Sequence, residues 1–230
     1  MTISVIIPTL NEEKILAQAL VALSTIPIDE IVIVDGGSTD HTLKMAEAFC
    51  ARVSNAHALA SPRGRARQMN AGAKATRGET LLFLHADTRL PPRADELIEA
   101  ALADRETAGG RFDVRFDRPS TWGTVISTLM NWRSRLSGIA TGDQAIFVRR
   151  KVFEQIGGFS DIPLMEDIDL SRRLKQIGRM IALHETVTTS FRRWEANGPL
   201  RTVLLMWTLR FLYGAGVSPD RLHRFYAATR

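Results

Sequence analysis

ISVIIPTLNEEKILAQALVALSTIPIDEIVIVDGGSTD, residues Ile3 to Asp40, holds the pattern that decides the fold. Ser4 to Ile7 has the length and β-branched content of a buried strand, and Ile15, Leu16, Ala19, Leu20 and Leu23 then share one face at helical spacing. Asn11 stands where that helix needs an N-cap. Ile31 to Val34 is a second strand, ending in Asp35 and the Gly36-Gly37 turn. Strand, helix, strand in this order is a βα unit over a parallel sheet.

Outward from this unit the pattern repeats. Leu43, Ala46, Phe49 and Cys50 give a second helix its buried side. Leu81 to Leu84 reads as the third strand, ending at His85, Ala86 and Asp87, and Leu97, Ile98, Ala101 and Leu102 stripe the helix after Pro91 and Pro92. The second half changes character. Phe112, Val114 and Phe116 alternate with Arg111, Asp113 and Arg115 as in an antiparallel strand with one polar face. Trp122, Val125, Ile126, Leu129 and Leu136 fit a helix, and Ala145 to Val148 a strand. Leu170, Leu174 and Ile177 fit a helix that Gly178 closes as a C-cap. The expected fold class is α/β, a mixed, mainly parallel central sheet flanked by helices. We leave residues 1–230 as one domain in three parts, 1–110, 111–198 and a helical appendage at 199–230.

Composition narrows the function classes. With 45% hydrophobic and 24% charged residues the chain is neither disordered nor low-complexity. The lone Cys50 excludes an intrachain disulfide and a zinc ribbon, and predicts a reducing, cytoplasmic setting. A net charge of +5 suggests anionic partners but is too small an excess to indicate nucleic acid. The apolar stretch Val203 to Leu209 falls far short of the ~20 residues of a membrane span. Leu200 to Tyr213 is apolar almost all round, which leaves packing against the domain or a second subunit open beside membrane-surface contact.

Ligands of open α/β sheets bind beyond the carboxyl ends of the strands, so Pro8 to Glu12, Asp35 to Asp40 and His85 to Thr88 should share one crevice. Neither G-x-G-x-x-G nor G-x-x-x-x-G-K-[ST] occurs. Asp35 suits a nucleobase N–H or a ribose hydroxyl, or else only the turn it begins. Asp87 suits a hard divalent cation that takes its remaining oxygens from phosphates and water; His85 fits a ligand or a structural role. Arg63, Arg65 and Arg67 can balance a diphosphate or form a solvated helix start. Glu166 and Asp167 sit at a helix start, where the macrodipole favours the ionised form and would keep a base charged near neutrality, or else they reflect only the preference of helix N-termini for acidic residues.

Ser4-Val5-Ile6-Ile7-Pro8-Thr9-Leu10-Asn11-Glu12 and Val34-Asp35-Gly36-Gly37-Ser38-Thr39-Asp40 resemble the opening of family-two, GT-A-fold glycosyltransferases. Gly64, Asn70, Gly72 and Gly78-Glu79 follow in the family's order, and Leu84-His85-Ala86-Asp87-Thr88 stands in place of its D-x-D motif. Thr141-Gly142-Asp143-Gln144, Ile156-Gly157-Gly158-Phe159 and Met165-Glu166-Asp167-Ile168-Asp169-Leu170 resemble its acceptor loop and E-D motif. The resemblance implies an inverting transfer from a UDP- or GDP-type sugar donor to a small-molecule or lipid-linked acceptor, with 1–110 as the nucleotide-binding half and 111–198 as the acceptor half. Pro8, Thr9, Asn11, Glu12, Asp35, Gly64, Arg65, Asn70, Ala86 and Asp87 would bind the donor. Asp87, with His85, would hold Mg²⁺ or Mn²⁺, and Asp167 beside Glu166 would be the base. Gly142, Asp143 and Gln144, with the loop Arg192-Arg193-Trp194, would serve acceptor and diphosphate. His85 replaces the first Asp of D-x-D, and the Q-x-x-R-W of processive relatives is reduced to Phe191-Arg192-Arg193-Trp194. The His-Ala-Asp-Thr motif with a compact C-terminus is similar to a small bacterial branch linked to arsenosugar biosynthesis. Two other readings are a sugar nucleotidyltransferase, which wants a basic Gly-rich N-terminal loop where this chain has an acidic one, and a non-catalytic nucleotide-binding module resting on a membrane or partner.

Overall fold

The structure, a computed structural model, describes residues 1–229. The side chains of Arg193, Ala228 and Thr229 lie outside the described residues. Along the chain run β1 (Ile3–Thr9), α1 (Leu16–Leu23), β2 (Glu30–Asp35), α2 (Thr42–Cys50), β3 (Ala56–Ala60), α3 (Arg65–Ala75), β4 (Thr80–Phe83), β5 (Thr88–Arg89), α4 (Ala94–Ala101) and β6 (Thr107–Phe116). After them come α5 (Thr121–Ser137), a 3-10 turn (Gly142–Gln144), β7 (Ile146–Arg149), α6 (Arg150–Gln155), α7 (Glu166–Ile177), β8 (Arg179–Thr189), α8 (Arg192–Asn197), α9 (Pro199–Gly214) and α10 (Pro219–Thr229).

One sheet carries the strands in the order β3-β2-β1-β4-β7-β6-β8-β5. The β1–β2, β1–β4, β2–β3 and β6–β8 pairs are parallel, and β7 runs antiparallel to both β4 and β6. Helices cover both faces, which is why β1 and β2 read as nearly continuous apolar runs. Side chains alternate across the sheet. Ile3, Val5 and Ile7 face Leu16, Leu20 and Leu23 of α1, while Ile6 packs with Val34, Met69 and Ala73 on the α3 side.

Helix α3 seats closely because residue 72 lacks a side chain. A Cβ there would lie 2.4 Å from Ile6 Cγ2 and 3.0 Å from Val34 Cγ2. We expect Gly72→Val to destabilise the fold by about 1–3 kcal/mol, the usual penalty of overpacking, read as a lower urea midpoint. An unchanged midpoint would mean that α3 does not pack as described.

Several local expectations are corrected. Asn11 does not cap α1, whose N-cap position is Ile15; it adopts φ 56° and ties two loops together, its Oδ1 accepting from Thr39 N at 2.8 Å. The third strand in sequence is β3, so Leu81 to Phe83 belongs to the fourth, and Leu84 already lies beyond its end. β6 is antiparallel to β7 only and parallel to β8, and its polar alternation is not solvated: Arg111 and Asp113 are buried. α5 forms, but Trp122, Val125, Leu129 and Leu136 are exposed while Ile126 is buried. Gly178 ends α7 in an extended conformation, where a Cβ would stand 2.7 Å from Glu106 O, so close approach rather than a left-handed cap requires glycine.

Candidate active site

The register of β7 builds the site. Phe83, at the end of β4, pairs with Ile146, at the start of β7, so the His85–Asp87 loop and the 142–144 turn emerge side by side. Contact is close enough that a Cβ on Gly142 would lie 2.4 Å from His85 Nε2. Helix α7 delivers the third piece. Asp167 Oδ2 accepts from Gly142 N at 3.0 Å, and its Oδ1 accepts from Ile168 N at 2.7 Å. A cavity of about 280 Å³ results, lined by Pro8, Glu12, Arg65, His85, Ala86 and Asp87 on one side and by Gly142, Asp143, Asp167 and Trp194 on the other. A larger recess of about 990 Å³, bordered by Arg89, Arg93 and Arg118, contains none of the candidate residues.

Charge is concentrated in the cavity. Burial, reinforced by neighbouring Glu166, pushes Asp167 up to about 6 against the opposing pull of the Gly142 N–H and Arg65. Its place at the start of α7 predicted the opposite direction: here desolvation and a like charge outweigh the macrodipole. Burial also raises Asp143, whose Oδ1 is buried without a hydrogen-bond partner. Arg65 contacts Glu166 at 3.4 Å; burial works against its charge, but Glu166, Asp167 and Asp87 hold it more firmly protonated than in water. Burial lowers Arg133, whose Nε and Nη2 have no hydrogen-bond partner.

The remaining candidates support this wall without lining the cavity. Asp35 folds its own turn, accepting from Gly37 N at 2.9 Å, Ser38 N at 2.8 Å and Ser38 Oγ at 2.5 Å, with Thr9 Oγ1 at 3.3 Å. Gly64 precedes α3 at φ 140°. Asn70 links α3 to the 156–159 loop, donating to Phe159 O at 2.8 Å and accepting from Phe159 N at 2.9 Å. Gln144 is fully buried and accepts from Thr141 N at 3.1 Å. Glu166 is buried against Arg65. Arg192 pairs with Glu12 at 3.8 Å, and the 192–194 segment is the first turn of helix α8 rather than a loop. The Arg193 side chain lies outside the described residues.

Sequence reasoning missed two contributors. Gln68 donates its amide to Thr9 O and to Val34 O, both at 2.8 Å, fixing the ends of β1 and β2. Arg133 lines the cavity from α5, with Leu129 and Met130 beside it and Met206 and Trp207 opposite on α9. An arginine within an amphipathic helix gives no signal that it turns inward.

Among the described residues, no group of three or more His, Cys, Asp or Glu side chains is close enough to hold a metal unaided. The donor set nevertheless fits a hard cation that shares its shell with phosphates: Asp87 faces the cavity, and Asp143, lining the same cavity, keeps a buried oxygen with no hydrogen-bond partner.

Comparison with known proteins agrees with this architecture. The chain is 34% identical over 173 residues to the PGL/p-HBAD biosynthesis glycosyltransferase of Mycobacterium tuberculosis H37Rv, 68% of this chain and 62% of the relative. It is 26% identical over 239 residues to the probable glycosyltransferase YdaM of Bacillus subtilis, covering 93% of this chain and 54% of that protein. The chain thus spans less than two thirds of the length of these relatives. Among solved structures, the mannosyltransferase PcManGT of Pyrobaculum calidifontis, in complex with GDP-Man and Mn²⁺, superposes with a TM-score of 0.73 at 19% identity, over 99% of this chain and 69% of that one. TarS 1-349 of S. aureus, in complex with UDP, superposes with a TM-score of 0.64 at 20% identity, over 83% of this chain and 61% of that one. The fold is GT-A, as the sequence led us to expect. The profile described as Glycosyl transferase family 2 matches residues 4–157, two thirds of the sequence, and the chain belongs to that family.

Proposed function

We propose that the protein transfers a sugar, with inversion, from a nucleoside diphosphate sugar to an acceptor hydroxyl. The observation that carries this reading is that Asp87, Asp143 and Asp167, from three separate segments, face one cavity across the Gly142 backbone. Asp167 accepts the acceptor's proton as its oxygen attacks the anomeric carbon, and the bond from that carbon to the diphosphate breaks on the opposite side. One displacement inverts the centre. The diphosphate leaves with the bonding electrons, and Arg65, in the same cavity, stabilises the charge growing on it. Asp87, with the Asp143 oxygen that lines the same cavity, would hold Mg²⁺ or Mn²⁺, which when bound neutralises phosphate charge. His85 packs against Gly142 and shapes this loop. GDP-Man with Mn²⁺ and UDP, bound by the two structural neighbours, support a nucleotide-sugar donor here.

Calorimetry with UDP and GDP tests the donor site. Expected is binding that strengthens at least tenfold with Mn²⁺ and loses that gain in Asp87→Ala. Metal-independent binding that ignores Asp87 would overturn the assignment of this residue. Firm metal-dependent binding without turnover, with Asp167→Asn indistinguishable from the parent in cells, would favour the nucleotide-binding module.

A further inference from the structure

Most of the exposed large apolar residues lie on two helices. On α5, Trp122, Val125, Leu129, Trp132 and Leu136 recur every three or four positions and so share one face; all are exposed, Trp132 at 62%. On α9, Leu200, Leu204, Trp207 and Phe211 do the same, with Trp207 at 62% and Phe211 at 75%. The opposite side of α9 is satisfied: Leu209 is buried with Leu222 of α10, with Met165, the N-cap of α7, and with Ile168 of α7. The two stripes border one opening, because Leu129 and Trp207 both line the cavity that holds Asp167. Large apolar surface left exposed around a cavity mouth marks an interaction site.

Charge identifies the occupant. Residues 192–230 contain seven arginines against Glu195 and Asp220, an excess of +5 equal to that of the whole chain, so residues 1–191 are neutral overall. Neither α5 nor α9 contains an acidic residue. A symmetric contact between two copies would set the arginines of α9 against their own kind with no carboxylate on either helix to answer them. A lipid surface bearing negative headgroups answers them directly. Tryptophan beside arginine is also the composition that settles at the boundary between headgroups and acyl chains. No helix among the described residues is long and apolar enough to cross a membrane, so contact through these faces is peripheral.

We propose that the α5 and α9 faces dock on an anionic bilayer surface, with the cavity mouth between them opening among the headgroups. The proposal rests on the transferase reading in taking that cavity for the reaction site, and it makes the acceptor an amphiphile whose hydroxyl reaches Asp167 past Leu129 and Trp207. Arg133, half-buried and lining the cavity with Leu129, is then the cation that meets the amphiphile's polar head.

The test is flotation of the full chain with vesicles of phosphatidylglycerol and phosphatidylcholine in equal parts, against phosphatidylcholine alone. Binding to the anionic vesicles should be at least tenfold stronger, shift the tryptophan emission to the blue, and weaken at least fivefold in 0.5 M NaCl. Trp132→Glu with Phe211→Glu, neither of which lines the cavity, should lower vesicle binding at least tenfold and leave metal-dependent UDP or GDP binding within twofold. Trp132→Ala with Phe211→Ala gives a milder loss in the same direction. Absence of binding to the anionic vesicles, indifference to both double variants, or a stable dimer in sedimentation that Phe211→Glu dissociates would each overturn the proposal. None of these outcomes touches the donor site, whose own failure would appear as lost nucleotide binding.

Discussion

Asp167→Asn is expected to lower the transfer rate by about 10²–10⁴-fold, the usual contribution of a positioned general base, while making the protein more stable at neutral pH. The two effects share one cause. Burial and Glu166 raise the carboxyl to about 6, so the folded protein holds this proton more tightly than the unfolded chain, whose Asp titrates near 4. Stability from this group is therefore greatest below pH about 4 and declines as pH rises towards 6, leaving a charged, desolvated carboxylate above it. Asparagine removes that charge and retains an oxygen for the Gly142 and Ile168 N–H groups. The expected gain is about 1–3 kcal/mol at pH 7, discounted for partial contact with solvent and for the lost charge-assisted hydrogen bonds. Urea denaturation at pH 7 and pH 4 should show the gain at the higher pH and little at the lower. For the parent protein, kcat/KM should fall tenfold per pH unit below about 6. A flat profile between pH 5 and 7, or an asparagine variant as active as its parent, would remove Asp167 from the role of base.

Asp113→Ala is expected to destabilise the fold by about 3–5 kcal/mol, because it strands buried positive charge. Asp113 accepts from Arg111 and, at 2.8 Å, from Arg135, and Arg111 is 3% exposed. Arg135 also donates to Ala182 O and Leu183 O, both at 2.9 Å, so this knot fastens α5 to β6 and β8. Asn131 adds a second fastening, accepting from Val114 N at 2.9 Å and donating to Val114 O at 3.0 Å. Arg135→Ala should cost less, because its side chain is more exposed and Asp113 keeps Arg111. Chemical denaturation of the two variants settles the order; equal losses would mean that Arg111 does not depend on Asp113.

The first half of the fold was legible because parallel strands covered on both faces are written as apolar runs, and those of β1, β2 and β4 stand out. β3 was not: Ala56-His57-Ala58-Leu59-Ala60 has no β-branched residue. α3 was hidden for a related reason, since Arg65, Arg67, Gln68 and Asn70 mask its small buried side. For α5 the period was readable but not which side is covered, because that depends on what packs above it. Arg111 and Asp113 looked solvated for the same reason: a sequence gives the alternation of a strand and not the helix that closes over it. At the site, strand-end reasoning put the Pro8–Glu12 and His85–Thr88 loops beside one crevice, but it also put Asp35 there, which instead holds its own turn, and the 142–144 turn was named only through the family resemblance. The shift of Asp167 was not legible, because it comes from burial and from Glu166 rather than from helix position.

The position of β7 in the sheet has a consequence for how the chain emerges during synthesis. β4 ends at residue 83 and β6 at 116, yet the strand that joins them begins only at Ile146. Until that late segment leaves the ribosome, β4 and β6 each keep an open hydrogen-bonding edge, the kind of surface that recruits other nascent chains. Release of a product truncated before residue 146 should therefore give aggregates rather than a soluble fragment.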